Sequence, residues 1–178
     1  SLMYWLQEFH VDGVRVDAVS NILYLDYDLE PHILNDDGSN DNRQGVQFIK
    51  QMNTLVKEKM PGVMMIAEES TNWEGITKPV AEGGLGFDFK WNMGWMNDIL
   101  RFFEMDPLYR HSQFNLVTFI FVYMHHENYI LPLSHDEVVH GKGSLLGKMP
   151  GDRYNQFAQL KVLYTLMQAL PGGSLNFM

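Results

Sequence analysis

Val14-Arg15-Val16-Asp17 is a short apolar run that ends in an acid, and its reading decides the fold. Two other stretches repeat the pattern, Met64-Met65-Ile66-Ala67-Glu68-Glu69 and Leu131-Pro132-Leu133-Ser134-His135-Asp136. Burying a carboxylate beside hydrophobic strand residues is costly unless the group is paired or used. Three such acids, each closing a separate strand, point to an active site.

Helical segments lie between these runs. An apolar helix over residues 1–9 leads into a strand at 14–19. A turn-rich loop follows at 35–40. Val46, Ile49, Met52, Val56 and Met60 fall at helical spacing over 43–60, and Pro61-Gly62 ends that helix. A strand at 63–67 is followed by a glycine-rich turn at 82–86, a strand at 87–89 and an aromatic helix at 91–103. Further helices are predicted at 116–124 and 152–169, with strands at 129–134 and 174–178. Strands alternating with helices imply βα units and a parallel sheet. Acids recurring at the C-terminal ends of strands favour a (β/α)8 TIM barrel over an open doubly wound sheet, because that face of a barrel carries catalytic groups. The open sheet would often show a glycine-rich phosphate loop, and Asp12-Gly13-Val14 is not one. The chain begins inside a helix and ends on a strand, so it reads as one partial domain over 1–178, the last five or so βα units of the barrel.

Composition narrows the function. The 178 residues are 46% hydrophobic and 13% aromatic, enough for a core. A net charge of −9 argues against a nucleic-acid partner, since phosphate contacts need clustered Lys and Arg. The absence of cysteine excludes disulfides, thiolate metal sites and a Cys nucleophile. No apolar run approaches the ~20 residues of a membrane span, so no membrane partner is expected and a cytoplasmic location is.

Alternation along a strand puts Arg15 and Asp17 on one face. A nearby guanidinium holds a carboxylate ionised, as a nucleophile requires, although a purely structural Arg–Asp pair fits equally well. Glu68 and Glu69 diverge on a strand, so only one enters the cleft of Asp17. A carboxyl emerging from Met and Ile neighbours is desolvated, which raises its pKa and suits a general acid. Glu137 and His140 match one ligand pair of a di-iron bundle, but the second copy such sites need is missing. His125-His126-Glu127 diverge on any regular element. No metal and no cofactor are therefore expected. Trp73, Trp91, Trp95, Tyr109 and Tyr129 are core candidates, though aromatic faces beside carboxylates also suit sugar rings.

Together these segments resemble the catalytic barrel of the α-amylase superfamily of retaining glycosidases and transglycosylases, and within it the glucan branching enzymes. The resemblance rests on Asp12-Gly13-Val14-Arg15-Val16-Asp17-Ala18-Val19, on Ile66-Ala67-Glu68-Glu69-Ser70-Thr71 and on the stretch from Leu131 to Lys142. Phe89-Lys90-Trp91-Asn92-Met93-Gly94-Trp95-Met96 and Met149-Pro150-Gly151-Asp152 favour branching enzymes over amylases. The resemblance implies that Asp17 is the nucleophile, Glu68 the general acid/base and Asp136 the third carboxylate. Arg15 would keep Asp17 ionised, while His135 and Trp91 would contact the sugar. A retaining pair of carboxyls stands about 5–5.5 Å apart.

The implied activity is cleavage of an α-1,4-glucan such as amylose or glycogen and transfer of the chain to a 6-hydroxyl. An α-glucan or maltooligosyl-trehalose hydrolase of the same superfamily, a non-catalytic glucan-binding relative and a metal-dependent bundle enzyme are the alternatives. The early barrel strands and flanking domains of the family have no counterpart here. The isolated chain is thus expected to be inactive or poorly soluble, and its oligomeric state is left open.

Overall fold

In the computed structural model, which describes residues 1–27, 30 and 33–177, the chain forms two compact units, Ser1–Trp91 and Asn92–Met178. The first contains α1 (Leu2–Glu8), β1 (Gly13–Val16), α2 (Ser20–Leu23), α3 (Arg43–Lys59), β2 (Met64–Ala67) and β3 (Phe89–Trp91). β1 pairs parallel with β2, from Gly13 opposite Met64 to Val16 opposite Ala67. β2 pairs parallel with β3, Ala67 facing Lys90.

The sequence of α3 explains its limits. The Asn42 side chain accepts the Gly45 amide at 3.1 Å and so satisfies one of the orphan donors of the first turn. Lys57 and Lys59 lie in the last turn, where cations suit the dipole, and Pro61 follows. Gly45, Ile49, Asn53 and Val56 are buried, one stripe at three- and four-residue spacing. Gly45 allows a close crossing, because a Cβ there would stand 2.0 Å from the Ile22 carbonyl oxygen. The stripe packs into a core with Leu6, Leu23, Met65, Leu85 and Phe87.

The second unit contains α4 (Met93–Glu104), α5 (Asn115–Thr118), α6 (Ile120–Tyr123), β4 (Tyr129–Ser134), α7 (Leu145–Lys148), α8 (Arg153–Ala169) and β5 (Gly173–Phe177). β4 pairs parallel with β5, from Ile130 opposite Gly173 to Ser134 opposite Phe177. Asp152 caps α8 through the Asn155 amide at 2.9 Å. Trp95, Ile99, Phe103, Leu131, Leu133, Leu163 and Met167 form the core.

All five strands expected from the sequence are found among the described residues, β4 with the expected bounds and the others with shifted ends. β1 stops at Val16 rather than at residue 19, because Ala18 takes a left-handed φ of 46° that no ladder accepts. β3 begins two residues later than expected. Asp88 is engaged with Met65 at the start of β2 through its amide and its carboxylate, both at 2.8 Å. Trp91 therefore belongs to β3, and α4 starts only after Asn92 caps it through the Trp95 amide. The helix expected at 116–124 is two short turns meeting at Phe119. Met178, predicted to end the last strand, lies outside the described residues.

Candidate active site

In the first unit the chain leaves β1 and β2 side by side. The Glu68 amide donates to the Val16 carbonyl, and the Val19 amide donates to the Glu68 carbonyl, both at 2.9 Å. These bonds hold the two strand ends in parallel register beyond the ladder. The Glu68 carboxylate accepts the Ala18 amide at 2.7 Å. Arg15 Nη2 stands 2.7 Å from Asp17 Oδ1, so the shared face read from the sequence is present in the fold.

The guanidinium of Arg15 lies 5.2 Å from the centroid of the Trp91 ring, within cation–π distance. Trp91 itself is 3% exposed. Its ring supports Arg15. Burial differs from the sequence reading. The Asp17 side chain is 75% exposed and that of Asp136 48%, so neither needs a partner merely to be tolerated in the fold.

Glu68 matches the expectation more closely. Burial raises its carboxyl above the ordinary carboxylate range. A hydrogen bond to Asp17 and the Asp17 charge push the same way, against the Ala18 amide and the Arg15 guanidinium. The two carboxyls are thus neighbours at the adjoining ends of β1 and β2.

The deeply buried acid is Glu69, not Glu68. It is 1% exposed, and its Oε2 lies 2.8 Å from Lys90 Nζ. Its Oε1 accepts the Ser20 hydroxyl at 3.0 Å and the Thr71 amide at 2.7 Å. Burial alone raises the pKa of a carboxyl, but the Lys90 ammonium and the Thr71 donors bring that of Glu69 below its usual value. Lys90 also donates to the Thr71 carbonyl at 3.0 Å. Sequence reasoning missed this arrangement. The available signal was a lysine between Phe89 and Trp91 on a strand paired with the one that leads to Glu69.

In the second unit β4 ends at Ser134 and the chain enters a 3-10 turn, His135–Glu137. Ser134 Oγ accepts the Asp136 amide at 3.4 Å, while the Glu137 carboxylate accepts the Ser134 amide. This reciprocal cap fixes where His135 and Asp136 emerge. His135 Nε2 lies 3.2 Å from Asp136 Oδ1, and its ring packs edge-on to Phe177 at 6.0 Å between centroids. Lys142 donates to the Asp136 carbonyl at 2.7 Å. Glu137 is 5% exposed and committed to the cap, so the reading of Glu137 and His140 as a helical ligand pair does not hold.

In each unit, then, the acids leave the C-terminal ends of parallel strands. Residues 1–172 match the family model described as the α-amylase catalytic domain. The chain is 59% identical over its whole length to the 1,4-alpha-glucan branching enzyme GlgB of Lactiplantibacillus plantarum and covers 28% of that protein. It is 57% identical to the protein of that name from Lactobacillus acidophilus, covering 28% of it. With the one from Methylococcus capsulatus the identity is 53% and the share 24%. The chain therefore spans about a quarter of the length of the curated relatives it matches. Among solved structures, Eubacterium rectale Amy13B aligns with 98% of this chain and 31% of its own, at a TM-score of 0.54 and 17% identity. The fold class is α/β, a truncated (β/α)8 barrel.

Proposed function

This chain belongs to the α-amylase family, and from that premise we propose that it is the catalytic-barrel portion of a 1,4-α-glucan branching enzyme, residues 1–178 being parts of one domain. The observation that carries the reading is Glu68, its pKa raised by burial, next to an Asp17 paired with Arg15. One protonated and one ionised carboxyl are what a retaining mechanism needs.

Asp17 attacks C1 of the glucan while Glu68 gives its proton to the departing 4-oxygen. The C1–O4 bond breaks, an ester to Asp17 forms, and Glu68 becomes a carboxylate. The 6-hydroxyl of an acceptor glucan then attacks C1 and releases Asp17, and Glu68 takes up the hydroxyl proton. An α-1,4 bond is exchanged for an α-1,6 bond with retention. Asp136 and His135 hold sugar hydroxyls, and Arg15, supported by Trp91, pairs with Asp17 and orients it. The step requires no metal or cofactor. The substrate is an α-1,4-glucan and the location the cytoplasm; no described helix is long and apolar enough to cross a membrane.

Turnover belongs to the longer protein. The isolated chain is inactive or poorly soluble, in keeping with the exposed Tyr4 and Trp5 on α1 and Phe9 just after it. Full-length protein incubated with amylose, with iodine absorbance and reducing ends followed together, tests the assignment. Falling absorbance without new reducing ends supports branching. Rising reducing ends make the protein a hydrolase with the same site.

A further inference from the structure

We propose that Lys90 is a positioning residue for Glu68, acting through the segment that follows β2. The inference rests on Glu68 serving as acid/base, as above, and goes beyond it by naming what holds that group in place. Lys90 faces Ala67 in the β2–β3 register, one residue before Glu68. Its ammonium reaches past the strand end to Glu69 Oε2 at 2.8 Å and to the Thr71 carbonyl at 3.0 Å. Glu69 in turn is held by Ser20 of α2 and by the Thr71 amide. One buried cation thus ties both ends of residues 69–71 to β3, while Ser20 ties the same segment to α2.

Glu68 and Glu69 are neighbours whose side chains go to different partners, Glu68 toward Asp17 and Ala18, Glu69 toward Lys90 and Ser20. A twist of the backbone at Glu69 therefore swings the Glu68 carboxyl away from Asp17. The anchor resists it because Glu69 and Lys90 are 1% and 8% exposed, and a buried charge pair gives up its partner only at high cost. Asp17 follows the end of β1 and is paired with Arg15, so the Lys90 anchor reaches it only through the bond from the Ala18 amide to Glu68.

The test uses the full-length protein, with Lys90→Met and the paired Lys90→Met/Glu69→Gln. The paired variant leaves no stranded charge, and Gln keeps an oxygen for Ser20 and Thr71, so it folds. Expected for the pair is a kcat on amylose lowered about tenfold or more with KM within about twofold, since a misplacement near 1 Å costs up to ~100-fold. The alkaline limb of the pH–rate profile also moves to lower pH, because a Glu68 that swings outward regains water. A merely structural Lys90 would lower the melting temperature and leave both readouts unchanged, and that result overturns the proposal. Asp17→Asn and Glu68→Gln run in parallel separate the two levels. If either keeps full turnover, the catalytic reading falls and the role of Lys90 with it. If both are inactive while the paired variant matches wild type, only the positioning role falls.

Discussion

The Glu68 carboxylate accepts the amide of Ala18, the residue that follows Asp17, at 2.7 Å. Ala18 holds a left-handed φ of 46° without being a glycine. The bend there ends β1 and turns Asp17 out of the ladder, and the Glu68 bond is one of the contacts that keeps the bend. One carboxylate therefore both approaches Asp17 and fixes the backbone that presents it.

Left-handed backbone costs a residue with a Cβ about 1–2 kcal/mol. Ala18→Gly removes that cost and adds back part of it through a freer unfolded chain. The expected result is a net stabilisation of about 0.5–1 kcal/mol by denaturant unfolding. Ala18→Val, β-branched at the same φ, should destabilise by about 1–2 kcal/mol and lower turnover by displacing Asp17.

Because the pKa of Glu68 is raised in the folded state, ionising it opposes folding. Its favourable contribution is fully present below the unfolded value and is lost as pH rises through the folded one. Glu68→Gln never ionises. It should melt about 1–3 °C above wild type at neutral pH, with the gap closing below pH about 4. A gap of the same size at every pH would show that Glu68 carries no such penalty.

Asp17→Asn in the full-length protein should abolish turnover and leave glucan binding largely intact. The side chain is 75% exposed, so melting should change little. Unchanged turnover removes Asp17 from the mechanism.

Gly45→Ala asks α3 to move away from Ile22, since the new methyl would stand 2.0 Å from a carbonyl oxygen that cannot yield like a flexible side chain. A loss of about 2–3 kcal/mol is expected. Loss below about 0.5 kcal/mol in a denaturant titration would mean that α2 shifts freely.

Much of this was legible in the chain. The α3 stripe and the Pro61-Gly62 behind it mark that helix to within one residue. The alternation of Val14-Arg15-Val16-Asp17 foretells the ion pair of Arg15 with Asp17. The rest depends on contacts distant in sequence. Trp91 reads as core or as a ring for a sugar, and the Arg15 guanidinium beside it leaves no mark in the sequence. Adjacent Glu68 and Glu69 are the same residue type, yet one is half-buried beside an acid and the other buried beside a lysine 21 positions on. Burial was overread at Asp17 because the bend at Ala18, a tertiary effect, leaves no mark in composition.

The pairing of Glu69 with Lys90 also constrains how this sequence can drift. Replacing either partner alone strands a charge in the interior, at about 3–5 kcal/mol, whereas a well-shaped neutral pair would be tolerated. Two fold-competent solutions are thus separated by single-step intermediates few proteins survive. Lineages carrying this ion pair should keep both members or exchange both, and a library that randomises the two positions together will reach variants that one-at-a-time mutagenesis cannot.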